Sequence, residues 1–106
     1  MASLDERRDA AEKKFAHDEE LRFKATARRN KLLGLWAAEK LGKSGDDAEA
    51  YAKSVILADF EEAGDDDVFR KIKTDLDAGG VATSDTELRQ QMDSLMARAK
   101  AEILAG

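Results

Sequence analysis

No proline interrupts the 106 residues of this chain. Proline is the strongest single breaker of a helix, because it fixes φ and removes a backbone donor. A chain without it, rich in Ala, Glu, Lys, Leu and Arg and poor in β-branched and aromatic residues, favours helix nearly throughout. An all-α protein is therefore expected. At 42% hydrophobic residues the chain can fill one modest core, and a second independent core is not expected. There is no Cys, so disulfides, thiolate nucleophiles and Cys-based metal sites are excluded together. No apolar run approaches the roughly 20 residues of a membrane span, and the charged N-terminus lacks the apolar centre of a secretory signal. The expected localisation is cytoplasmic, without direct membrane insertion.

Helix boundaries follow from local signals. Ser3-Leu-Asp-Glu6 has the spacing of a capping box, from which helix is predicted as far as Leu41 with a weak joint near residues 17–20. Gly42 and Gly45 supply the stop, with Lys40 and Lys43 at the negative end of the dipole. The stretch Ala27 to Gly42 places Leu32, Leu33, Leu35, Trp36 and Leu41 behind three cations, Arg28, Arg29 and Lys31. Asp46 and Asp47 are predicted to cap a second helix reaching about Ala63, with Ala48, Tyr51, Ala52, Val55, Ile56 and Phe60 as its apolar face. A third helix opens at Asp65 or Asp66, carries Val68, Phe69, Ile72 and Leu76, and closes at Gly79-Gly80, after which Val81 pins the loop to the core. A second capping box, Ser84-Asp-Thr-Glu87, opens a fourth helix with Leu88, Met92, Leu95, Met96, Ala99 and Ile103 on one face. Four such stripes are buried together most simply in a four-helix bundle.

The first 20 residues differ from the rest. Apart from the initiator Met, their only large apolar side chains are Leu4 and Phe15, among eleven charged residues. The chain thus divides into an N-terminal arm, residues 1–20, and a bundle, residues 21–106. The arm is expected to be charged, partly helical and mobile. On a helix Leu4, Arg8, Ala11 and Phe15 share one stripe. So sparse a stripe is marginal alone in water and gains most by folding against a partner, with Leu4, Arg7, Arg8, Ala11, Lys14 and Phe15 as its contacts.

Charge is uneven along the chain. Residues 22–43 hold seven basic and one acidic group, and residues 44–67 one basic and nine acidic. Antiparallel pairing of the first two bundle helices would let the two blocks neutralise each other. The net charge of −5 argues against nucleic acid as a partner. His17, the only histidine, has neither Cys nor a second His with which to form a nucleophile or a metal site. Its unperturbed pKa near 6.5 makes it the one side chain able to switch the arm's charge near neutral pH. The acidic cluster Glu61, Glu62, Asp65, Asp66 and Asp67 does not fit a calcium loop and reads as helix capping and solvation. No metal site is expected. Gly79-Gly80 lacks the Lys-Ser/Thr of a phosphate loop. An alternative without a motif has ATP or ADP on the bundle, its phosphates at Arg28, Arg29 and Lys31 and its base against Trp36 or Tyr51.

The run ARRNKLLGLWAAEKLG, the YAKSV helix, the ADFEEAG turn and the DVFRK helix together resemble the zeta subunit family, inhibitors of the F-type ATP synthase of alpha-proteobacteria. The resemblance is firm over residues 15–106 and looser in the arm. It implies a non-enzymatic four-helix bundle whose N-terminal segment, here about Met1 to Glu19, enters the catalytic interface of the synthase's soluble head and blocks ATP hydrolysis. The implied partners are the alpha, beta and gamma subunits of that head. The implied location is the cytoplasmic side of the inner membrane, by peripheral attachment through the synthase. The family implies no obligatory cofactor. A sealed bundle of this size is expected to be a monomer when free, unless a stripe around Met92, Met96 and Leu104 is left exposed.

Overall fold

The computed structural model describes residues 19–59 and 65–105. Among them lie four helices and no strand: α1 (Glu19–Lys40), α2 (Gly45–Ala58), α3 (Asp66–Ala78) and α4 (Asp85–Ala105). They form the expected bundle. The arm, the Ser3 capping box, Phe60 and the 60–64 segment fall outside the described residues.

The bundle is organised around α1, which packs most extensively against α2 and α4. α2 runs back along α1, so that Ala52 lies against Gly34, and Ile56 lies near Ala27. The seam is close: a Cβ at Gly34 would stand 2.6 Å from the Ala52 Cα. Only a residue without a side chain allows the two backbones to approach so nearly. α1 accordingly buries mostly small residues, Ala25, Gly34, Ala37 and Ala38, beside Leu33. Leu32, Trp36 and Leu41, expected as core, are half-buried at its margin. The centre is filled by Leu33, Val55, Val68, Ile72, Leu76, Leu88, Met92 and Leu95.

Gly42 and Gly80 act as the helix exits read from the sequence. At the end of α1, Gly42 has φ +78°, its N–H donates to the Glu39 carbonyl at 3.1 Å, and Lys43 N–H donates to the Ala38 carbonyl at 2.8 Å. At the end of α3, Gly80 has φ +75°, Gly80 N–H reaches Asp77 at 3.1 Å, and Val81 N–H reaches Leu76 at 2.9 Å. These are two Schellman motifs, each satisfying carbonyls that the helix end would otherwise orphan. Val81 then packs on the core as expected. At the head of α4 the Glu87 N–H donates to Ser84 Oγ at 3.1 Å, the predicted cap.

Three boundary expectations are corrected. Gly45 does not stop α1; it is the first residue of α2. The N-cap of α2 is Ser44, in extended conformation, and Asp46 and Asp47 occupy the first turn, where the positive end of the helix dipole favours them. α2 ends at Ala58 with Asp59 as its C-cap, short of Ala63. Met92 is in the core and Met96 is half-buried, so on α4 only Leu104 of the suspected exposed stripe is open to solvent.

Candidate functional site

The basic turn of α1 was the site most plainly marked in the sequence, and the bundle splits it. Successive residues on a helix are 100° apart, so Arg28 and Lys31 share a face while Arg29 faces elsewhere. Arg29 is 1% exposed. Its Nε donates to Asn30 Oδ1 at 2.8 Å and its Nη2 to Asp65 Oδ1 at 2.8 Å. This clasp ties the middle of α1 to the entry of α3. A guanidinium taken out of water needs partners for its donors, and here Nε and Nη2 both have one.

Asp65 is the N-cap residue of α3, yet its carboxylate makes no capping hydrogen bond, being engaged by Arg29. Asp66 accepts from Arg89 of α4 at 3.0 Å, and Asp67 pairs with Arg70 one turn along α3. The Arg89 guanidinium also lies 4.0 Å from the centre of the Phe69 ring, a cation–π contact. The described part of the acidic cluster is therefore more than a solvated cap: its three carboxylates meet arginines on α1, α4 and α3. Among the described residues no group of His, Asp and Glu could hold a metal ion.

Arg28 reaches the far end of α4, donating from Nε to Glu102 Oε2 at 2.7 Å, while Arg98 holds the other oxygen at 2.8 Å. The hydrogen bond from Arg98, and then that from Arg28, hold the Glu102 carboxyl below its ordinary range. None of the described ion pairs links α1 to α2 themselves. One does join the two charge blocks, Arg29 to Asp65 at the entry of α3, while Arg28 goes to Glu102 of α4 and Lys24 to Glu20 of its own helix.

A third polar knot lies between α2 and α3. Tyr51 donates its hydroxyl to Asp75 Oδ2 at 2.8 Å, and Lys71 donates to the same oxygen at 3.0 Å. Burial, and then the bond to Asp75, raise the Tyr51 pKa above its ordinary value. Trp36 packs on the core with Lys40 Nζ 5.0 Å from its ring centre.

Of the residues suggested for a nucleotide, Arg28 and Lys31 thus share a surface, Arg29 is buried in a clasp, and Trp36 and Tyr51 lie apart. The surface that Arg28 and Lys31 share was not anticipated. It is an open trough lined by Phe23, Lys24, Ala27, Arg28 and Lys31 of α1, Ile56 of α2 and Ile103 of α4. Phe23 is 57% exposed. The trough begins one turn after the start of α1, where the arm joins the bundle. The sequence signal was present, since Phe23 and Ala27 are four residues apart, but nothing local shows that Ile56 and Ile103 flank them. The arm residues Leu4, Arg7, Arg8, Ala11, Lys14 and Phe15, and His17, lie outside the described residues.

The described residues thus define a small all-helical bundle whose arginines are largely tied to carboxylates and which keeps an open trough beside the start of α1. The chain belongs to the ATPase inhibitor subunit zeta family, whose family model matches residues 1–102. It is similar to a solved solution NMR structure at 55% identity, covering 80% of this chain and 96% of that one with a TM-score of 0.71. No curated protein matches it. Membership supports an inhibitory, regulatory role in association with an ATP synthase. No helix among the described residues is long and apolar enough to cross a membrane.

Proposed function

We propose that this chain inhibits the F-type ATP synthase as a steric wedge: residues 1–20 enter the catalytic interface of the soluble head, among its alpha, beta and gamma subunits, while residues 21–106 anchor the wedge. The observation that carries this reading is the family match, which begins at residue 1 and so takes in the arm together with the bundle. The composition of the arm supports it, since a segment with only Leu4 and Phe15 as large anchors orders best against a surface that another protein supplies. Leu4, Ala11 and Phe15 provide the apolar contact, and Arg7, Arg8 and Lys14 set register and orientation. His17 gives the wedge a charge that changes near neutral pH. The role needs no cofactor and no catalytic group of the chain's own, and it places the protein peripherally at the membrane, held there by the synthase.

The test is ATP hydrolysis by an alpha-proteobacterial synthase head depleted of its own inhibitor, with the full chain and a chain lacking residues 2–19 added in parallel. Inhibition by the full chain alone, with both melting cooperatively, is the expected result. Equal inhibition by the two sinks the wedge. A second reading, ATP or ADP on the bundle, has one specific foothold: Arg28 and Lys31 line the same trough. Titration of either nucleotide, followed by the amide shifts of those two residues, decides it.

A further inference from the structure

α2 and α4 both pack on α1, yet among the described residues their backbones do not approach each other. The N-terminal half of α1 therefore has a face with a helix on either side of it, and the trough lies there. It is lined by Ala27, small enough to let another backbone come close, and by Phe23, Ile56 of α2 and Ile103 of α4. Lys24, Arg28 and Lys31 recur at intervals of four and three residues and so form one row beside them. Arg28 is engaged by Glu102, and Lys24 makes a surface pair with Glu20 at 3.2 Å. Lys31 is exposed and has no ion-pair partner among the described residues.

This combination selects an occupant. By the rise of a helix the α1 side of the trough, from Phe23 to Lys31, is about 12 Å long, or roughly two turns. A helix seated between α2 and α4 would meet α1 along an apolar stripe, and carboxylates one row over would reach the cations. A flat, densely anionic surface fits less well, because Glu20 and Glu102 stand among those cations and the chain as a whole carries −5. Position indicates where the helix comes from. Phe23 lies only about 6 Å along the axis from Glu19, where the arm joins α1, so a protein that holds the arm has its own surface within reach of the trough.

We infer that the trough is the surface by which the bundle docks on the synthase head, and that it takes an amphipathic helix of a subunit bordering the catalytic interface. The apolar stripe of that helix lies on Phe23, Ala27, Ile56 and Ile103, and its Asp or Glu side chains face Lys24 and Lys31. For the identity of the partner the inference rests on the wedge reading. What it adds is how the anchor holds: a second contact on the same partner is made at high effective concentration, so a modest surface strengthens the whole attachment.

The test uses the full chain and a purified synthase head depleted of its own inhibitor. With no native Cys, a fluorophore on Thr74→Cys, an exposed position of α3, reports association by anisotropy. Lys24→Glu/Lys31→Glu is expected to weaken association at least about tenfold, and Phe23→Ala about threefold. Lys43→Glu/Lys53→Glu makes the same change of net charge at exposed sites outside the trough and should stay within about twofold. All three change exposed side chains, and thermal melting checks that each variant is folded. Carbodiimide, which joins an amine to a carboxylate in contact with it, should link Lys24 or Lys31 to an Asp or Glu on a helix of the head. Equal weakening by the two double variants, or by neither, overturns the inference, as do links formed only at Lys43 or Lys53. So does binding of the parent to anionic phospholipid vesicles that Lys24→Glu/Lys31→Glu abolishes, because the trough is then a lipid contact. Neither readout depends on hydrolysis. Trough-dependent binding by a chain that leaves hydrolysis untouched keeps the docking surface and removes the wedge, whereas inhibition equally potent in parent and trough variants keeps the wedge and removes the docking surface.

Discussion

The two halves of α1 are built on opposite plans. From Leu33 to Lys40 the helix presents Gly34, Ala37 and Ala38 to its neighbours and is seated backbone against backbone on α2. From Glu19 to Lys31 it is held by charge, through Arg29 to Asp65 and Arg28 to Glu102, and leaves Phe23 largely in solvent. Close packing is short-ranged and unforgiving, so the C-terminal half fixes how the helices cross. Ion pairs tolerate more movement and more water, so the N-terminal half can keep a surface open without losing the fold. The joining of a tight end to an open end suits a module that must stay folded while one of its faces is recognised.

The sharpest way to break this comparison is a matched pair of truncations. Leu33→Ala, at a site with no exposure, should cost about 2–5 kcal/mol in denaturant unfolding, whereas Phe23→Ala should stay within about 0.5 kcal/mol. Similar losses at both would mean the open end is as tightly packed as the closed one. Arg29→Ala should follow at about 2–4 kcal/mol, because it removes a buried side chain and strands Asn30. Arg29→Lys should recover only part of that loss, since an ammonium cannot reproduce the fork. If R29A melts like the parent, the clasp is decoration.

Gly34→Ala sets helix propensity against sterics. Propensity favours Ala by about 1 kcal/mol, yet the new Cβ meets backbone that cannot swing aside, so a net loss of about 1–3 kcal/mol is expected. A gain in stability would show the seam to be looser than the geometry implies. Tyr51→Phe should cost about 1 kcal/mol, because Asp75 keeps its bond from Lys71. The phenol pKa is raised in the fold, so the contribution of this hydroxyl is complete below the unfolded value and is lost as the pH rises through the folded one. Tyr51 is the only tyrosine, so alkaline absorbance titration should show tyrosinate forming later in the native chain than after denaturation.

The smallest effect is at the open end. The Glu102 pKa is depressed by Arg98 and Arg28, so the α1–α4 tether is complete above the pKa of an unfolded glutamate and fades as the pH falls through the lower folded value. Arg28→Ala should move the carbon-detected titration of Glu102 upward. An unchanged midpoint would mean that Arg98 alone sets it.

The sequence carried much of the fold because its signals are local. The Ser84 cap, the exits through Gly42 and Gly80 and the three- and four-residue spacing of Val68, Ile72 and Leu76 each concern residues within a turn or two. The boundaries that slipped, at Gly45 and Ala58, depend on how a connection leaves one helix and meets the next. The site was only half legible. Arg28, Arg29 and Lys31 read as one basic triad, but their fates depend on the rotation of α1 against its neighbours, which no run of consecutive residues encodes.

By itself the sequence determined that this chain is helical, roughly where its helices begin and end, that it has neither thiol chemistry nor a histidine cluster, and which family it belongs to. Those properties rest on backbone propensities, capping and residue identity, all set at short range. Only the tertiary structure decided that Arg29 is buried, that Gly34 is a contact point, that Asp65, Asp66 and Asp67 meet arginines from three helices, and that Phe23, Ile56 and Ile103 line one trough. Apart from the Asp67–Arg70 pair, one turn along α3, each of these joins residues distant in sequence. Burial and ion pairing become favourable there only after the helices have packed.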